Sequence, residues 1–286
     1  MPAHAASPTW DLPTHAGAEA AGAGGAVRGT PGALENVVAG PAVLALEPRY
    51  DVVADGVWAP GDWYSAGGSA VDSRTSKATL GLRYRWSHHP DLALRPGEGP
   101  GWEEPDAAEE NAADSHSVAA GLAVADPSRR FSIGLSGLRW WRRAALGNDG
   151  DGWRLGGSVA GRPHPTVTLS AGASGPIAAS GVLGVEDVPW VDGGVRWQPH
   201  ERFGLVADVL LPLPVEAPEL DLGAEWVAGG LVPLRAGWSR APGWERDRLT
   251  AGVGYRYAPV EVAYAVGVDV GGEDAPCHQA SLRVAF

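Results

Sequence analysis

Residues 280–286 read ASLRVAF: Ala280, Leu282, Val284 and Phe286 alternate with Ser281, Arg283 and Ala285, and the chain stops on the phenylalanine. Successive side chains of an extended strand point to opposite faces, so this segment carries one apolar face and one polar face. A terminal strand of this kind, closed by an aromatic residue, is how outer-membrane β-barrels end.

The same alternation recurs upstream. Leu80, Leu82, Tyr84 and Trp86 alternate with Thr79, Gly81, Arg83 and Arg85. Leu249, Ala251, Val253, Tyr255 and Tyr257 alternate with Thr250, Gly252, Gly254 and Arg256, and Val260 to Asp269 repeats the pattern. Each stretch has an uninterrupted apolar face and a face of charges or glycines. A soluble sandwich alternates too, so the discriminating signals are the connections and the aromatic residues at strand ends.

Strands are expected near 49–59, 62–74, 77–88, 115–126, 129–142, 152–162, 165–175, 189–198, 202–211, 219–228, 230–239, 247–257, 259–270 and 277–286. Counting back from the C-terminus, alternate connections are tight, as at Ala258-Pro259, 228–230, 198–202, 162–165, 126–129 and Thr75-Ser76. The others, at 271–276, 240–246, 212–218, 176–188, 143–151 and 89–114, are generally longer. Short turns on one side and long loops on the other predict a closed antiparallel transmembrane barrel of about fourteen strands. Trp58, Trp63, Trp86, Trp140, Trp153, Trp190, Trp238 and Trp244 fall near long-loop ends, and Tyr50, Trp197, Trp226 and Tyr257 near short-turn ends. Two such belts suit two membrane interfaces, which makes outer-membrane lipid the expected surroundings. A terminal strand of this form also makes the barrel-assembly machinery an expected partner.

Composition narrows the alternatives. No run of about 18 apolar residues exists, which excludes a helical membrane protein. A formal net charge of −12 argues against a nucleic-acid partner. The single cysteine, Cys277, excludes an intrachain disulfide or a cysteine-based metal cluster. No nucleophile elbow, zinc-protease helix, phosphate loop or dinucleotide fingerprint is present, so no enzyme, cofactor or catalytic residue is expected. His88, His89 and His116 fall at the ends of one hairpin without a fourth ligand, so no metal site is assigned. The acidic loop 89–114 lacks the spacing and turn glycine of a calcium loop and reads as solvated. Met1 to Ala6 reads MPAHAA, small residues suited to a cleavage site, which makes a removed export signal a hypothesis.

Residues 1–46 are Gly/Ala-rich with little alternation, and a short helix is expected around Thr30 to Val38. The chain thus divides into an N-terminal segment, 1–46, and a barrel, 47–286. The stretch GAGGAVRGTPGALENVVAGPAVLALEPRYDV, residues 22–52, resembles the outer-membrane long-chain fatty-acid transporter family and the related fourteen-stranded barrels of the type IX secretion system. Gly40, Pro41 and Ala42 stand at the family's Asn-Pro-Ala-Gly-Leu-like motif, with Gly40 in place of the asparagine. The resemblance implies that 1–46 plugs the lumen, that the three residues mark the passage from plug to first strand, and that the ligand is a small hydrophobic or amphipathic molecule. A structural or partner-binding barrel and a general diffusion porin are the alternatives.

The charges assigned to the inner face supply the candidate lumen-lining residues: Arg83, Arg85, Arg154, Asp192, Arg196, Asp208, Asp221, Glu225, Arg256 and Glu261. Opposite charges on neighbouring strands pair and stiffen a barrel, or line a wet channel.

Overall fold

A computed structural model describes residues 18–59, 63–89, 113–144, 149–180, 188–213, 217–241, 246–270 and 276–286. Fourteen strands make one ring: β1 Tyr50–Ala59, β2 Trp63–Asp72, β3 Ala78–His89, β4 Ala113–Ala125, β5 Phe131–Ala144, β6 Gly150–His164, β7 Val167–Ser180, β8 Trp190–His200, β9 Phe203–Pro212, β10 Glu219–Ala228, β11 Val232–Ala241, β12 Arg246–Tyr257, β13 Val260–Asp269 and β14 Cys277–Ala285. Each pairs antiparallel with the next, and β14 returns to β1, with Ala54 opposite Leu282 and Asp51 opposite Ala285. Closure removes the free edges that an open sheet would leave.

The strands run from 9 residues in β14 to 15 in β6, matching the roughly 9–11 tilted residues needed to cross a bilayer core. Alternation sends Leu82, Leu135, Leu155, Leu222, Val253, Val262 and Leu282 to the outside, where all are exposed. At the short-turn rim Tyr50, Trp197, Trp226 and Tyr257 are exposed, and Tyr50 packs edge-on against Phe286. At the other rim Trp58 stacks on His278, Tyr64 on His88, and His116 on Trp141. Trp140 and Trp190 depart from the expected belt. Both occupy inward positions and are buried, because each lies an odd number of residues from an outward one: Trp140 one from Arg139, and Trp190 five from the exposed Val195.

Inside the ring lie three short helices, α1 Ala18–Gly22, α2 Asn36–Ala39 and α3 Pro41–Leu44. They replace the single helix expected near Thr30 to Val38. Gly40 separates α2 from α3, and Pro41 opens α3, where its missing amide N–H costs nothing. Gly40, Pro41 and Ala42 therefore sit within the luminal segment, and the passage into β1 falls after Ala45. Acidic loop residues 90–112, and Met1 to Ala6, lie outside the described residues, as does the side chain of His89.

Candidate functional site

The luminal segment crosses the interior from one wall to the other. α1 packs against β11–β14, α2 against β3–β5, and α3 against β4–β6. A chain so enclosed cannot leave its backbone polar groups to water, so the wall must satisfy them. Short hydroxyl side chains do this. Ser132 Oγ donates to Ala42 O (2.7 Å), Ser136 Oγ to Val38 O (3.0 Å) and Ser170 Oγ to Arg28 O (2.8 Å). Ser158 Oγ accepts from Ala42 N (3.0 Å). Thr250 Oγ1 accepts from Gly24 N (3.0 Å) and donates to Gly22 O (3.2 Å).

The same closeness explains the glycines on the polar faces of the strands. A Cβ at Gly121 would lie 2.6 Å from Val37 O, and one at Gly134 the same distance from Ala42 N. A Cβ at Gly223 would lie 2.5 Å from Ala23 O. These positions admit no side chain while the segment is seated.

The inner wall has two unlike sectors. On β1 to β5, Val53, Val71, Ala119, Leu138 and Trp140 form one apolar cluster with Leu34, Val37, Val38 and Leu44 of the segment. Between β8 and β14 the wall is charged. Asp192 and Asp208 flank Arg28 of the segment, with Arg28 Nε 3.5 Å from Asp192 Oδ1 and Nη1 3.8 Å from Asp208 Oδ2. Asp208 also accepts from the backbone N–H of Val27 (2.6 Å) and of Arg28 (2.7 Å). Asp221 lies opposite Asp208 across the β9–β10 pair and is buried. Lower on the wall Arg235 bridges Glu225 (2.8 Å) and Glu261 (2.9 Å), and Arg256 Nε donates to Glu261 (2.7 Å).

Of the remaining candidate residues, Arg83 and Arg85 stand on β3 in the same sector as the apolar cluster, Arg154 on β6 and Arg196 on β8. Arg83 is buried on β3, in the field of Arg85, Asp55 and Glu35. Arg85 Nε donates to Ser65 Oγ (2.6 Å) and its Nη2 lies 3.7 Å from Asp55. Arg154 stacks on Trp190, its Cζ 3.6 Å from the ring centroid, and donates to Val188 O (2.9 Å). The backbone of Arg196 passes beside Gly29, and its side chain reaches over Gly204 of β9, where a Cβ would lie 3.8 Å from its Nε. The ten candidates thus form several separate clusters around the ring. His88 faces outward and bonds Asp114 (2.9 Å), while His116 bonds Tyr84 (2.9 Å), so these two histidines do not converge on one ligand position. Among the described residues no group of three or more metal-binding side chains occurs.

The residues missed by sequence reasoning are Arg28 of the luminal segment and the small ones of the wall: Ser132, Ser136, Ser158, Ser170 and Thr250. For the wall residues the signal was present as a polar face made of serine and glycine where charges or bulky groups would have filled an empty lumen.

A closed ring of fourteen antiparallel strands around an N-terminal segment is specific enough to compare with solved structures. Solved hydrocarbon channels share this fold. The toluene transporter TbuX of Ralstonia pickettii superposes with a TM-score of 0.66 at 13% identity, over 94% of this chain and 98% of that one. The toluene transporter TodX of P. putida gives 0.61 at 13%, over 94% and 96%. The monoaromatic hydrocarbon channel CymD gives 0.61 at 14%, over 94% and 96%. No family model matches the chain, and no curated protein does. At such identity the likeness establishes the fold alone.

Proposed function

We propose that this chain is an outer-membrane channel for small hydrophobic molecules. The observation that carries the reading is the apolar sector of β1 to β5, where Val53, Val71, Leu138 and Trp140 meet Leu34, Val37 and Val38 of the luminal segment. An apolar solute gains by leaving water along such a seam, whereas a sugar or ion would lose its hydration there. The apolar outer band and its two aromatic rims supply the membrane location. TbuX, TodX and CymD, which share the fold, are a toluene transporter, a toluene transporter and a monoaromatic hydrocarbon channel. The resemblance of residues 22–52 to long-chain fatty-acid transporters belongs to the same reading, with an acyl chain in the seam. The luminal segment acts as the plug that denies passage to water-soluble solutes, which sets the chain apart from a diffusion porin.

Uptake of radiolabelled toluene by cells expressing the chain tests this. Expression raises uptake, and Leu138→Arg, which places a charge in the seam, returns it towards background while the folded barrel is still made. Liposomes carrying the protein should not swell in sucrose; swelling at porin rates, or toluene uptake indifferent to Leu138→Arg, overturns the proposal.

A further inference from the structure

Five strands bring one row of inward positions together at the long-loop border of the apolar sector. Asp55 on β1 lies opposite Gly67 on β2, Gly67 opposite Arg85 on β3, Arg85 opposite Ser117 on β4, and Ser117 opposite Trp140 on β5. Trp140 belongs to the apolar cluster, and so does Val53, the next inward position on β1 from Asp55. With neighbouring strands about 4.8 Å apart, the backbone of Arg85 stands about 10 Å from that of Trp140. Ser115 and Ser117 keep partial exposure on β4, whereas Ala119, one inward position deeper, is buried.

Gly67 has no side chain, so Asp55 and Arg85 face each other across β2; a Cβ on Gly67 would lie 3.5 Å from both Asp55 carboxylate oxygens. Arg85 Nη2 stands 3.7 Å from Asp55 Oδ2, an ion-pair distance too long for a hydrogen bond. Arg85 Nε donates to Ser65 Oγ (2.6 Å). Arg85 Nη1 and Asp55 Oδ2 are both buried, and neither has a hydrogen-bond partner among the described residues. The Asp55 side chain is 4% exposed and that of Arg85 11%. A buried donor and a buried acceptor left unmet side by side are costly. Their charges balance, so the pair offers no net attraction to an ion. A hydroxyl group satisfies both, its oxygen accepting from the guanidinium and its hydrogen donated to the carboxylate. A hydrocarbon satisfies neither.

We propose that Asp55 and Arg85 form a hydroxyl-recognition site at the border of the apolar sector, and that the solutes it selects are neutral monohydroxylated aromatics. The hydroxyl lies between the two side chains and the ring in the seam, where the Trp140 indole favours an aromatic ring over an alkyl chain. The place of the ring rests on the channel reading above; the polar contact is what separates a phenol from a hydrocarbon.

The test is thermal unfolding of the full chain in a non-ionic detergent, read by loss of the compact gel mobility of a folded barrel. The probes are p-cresol, toluene and 4-methylanisole, whose ether oxygen accepts but cannot donate. All three should raise the unfolding temperature saturably, and p-cresol should half-saturate at about a tenth of the concentration of the others, the worth of one hydrogen bond to a charged group. Arg85→Lys keeps a cation opposite Asp55 but removes the second guanidinium nitrogen; it should bring p-cresol level with toluene and leave toluene unchanged. The double replacement of Arg85→Met with Asp55→Leu strands no charge and should do the same. A response to p-cresol alone sustains the site and overturns the hydrocarbon seam. Equal half-saturation by p-cresol and 4-methylanisole, a p-cresol advantage that survives both variants, a loss that toluene shares equally, or no response to any probe overturns the site.

Discussion

Gly237 of β11 and Gly24 of the luminal segment meet backbone to backbone, so closely that a Cβ on Gly237 would overlap the Gly24 amide nitrogen. Gly237 lies opposite Gly223 in the β10–β11 register, and Gly223 meets Ala23 in the same way. Two adjacent strands thus share a groove only as deep as one strand of backbone. The fit has measurable consequences.

Gly237→Leu should unseat the segment. Overpacking costs about 1–3 kcal/mol, which raises the population of the displaced state roughly five- to 150-fold. Trypsin reports it, because Arg28 is 2% exposed when the segment is seated and becomes cleavable when it is not. Ala236→Leu on the outward face of the same strand should leave cleavage unchanged. Equal cleavage in the two variants would show that the groove does not hold the segment.

Arg28→Met should destabilise the folded chain by about 3–5 kcal/mol, because it strips the counter-charge from Asp192 and Asp208. Asp208→Asn in the same background should restore part of the loss by removing one of the stranded charges. Urea titration of refolding into lipid vesicles measures both. A single variant as stable as the parent would mean that these carboxylates find other partners.

The Asp126 turn between β4 and β5 should give a stability contribution that disappears in acid. The Ser128 hydroxyl, together with the Phe131, Ser128 and Arg130 amides, bonds the carboxylate and holds it at about 2, below its ordinary value. A folded-state value below the unfolded one means that the contribution is present above about pH 4 and is lost as pH falls through about 2. Asp126→Asn should therefore melt below the parent at pH 7, and the gap should close near pH 2. A gap independent of pH would exclude the charge as its cause.

The barrel was legible because its cause is local and periodic. Alternation of Leu80, Leu82, Tyr84 and Trp86 with Thr79, Gly81, Arg83 and Arg85 is a property of neighbouring residues, and turn parity needs only their spacing. All fourteen expected strands occur, with ends displaced by a few residues. Trp140 and Trp190 were assigned by nearness to a loop, which says nothing of phase, and phase turned them inward.

The segment in the lumen was less legible. Its short helices follow no pattern of their own, since four or five residues cannot sustain a helix without outside contacts. Their shape is imposed by Gly121, Gly134, Gly223 and Gly237 and by the serines between them, drawn from strands far apart in the chain. By itself the sequence determined the faces of the strands, their number and the side on which each turn lies, because period and spacing are written along the chain. Only closure of the ring decided which small residues meet the segment, that Arg28 lies between Asp192 and Asp208, and that Arg49 and Arg283 converge on Gly32, because those relations are distances across the lumen.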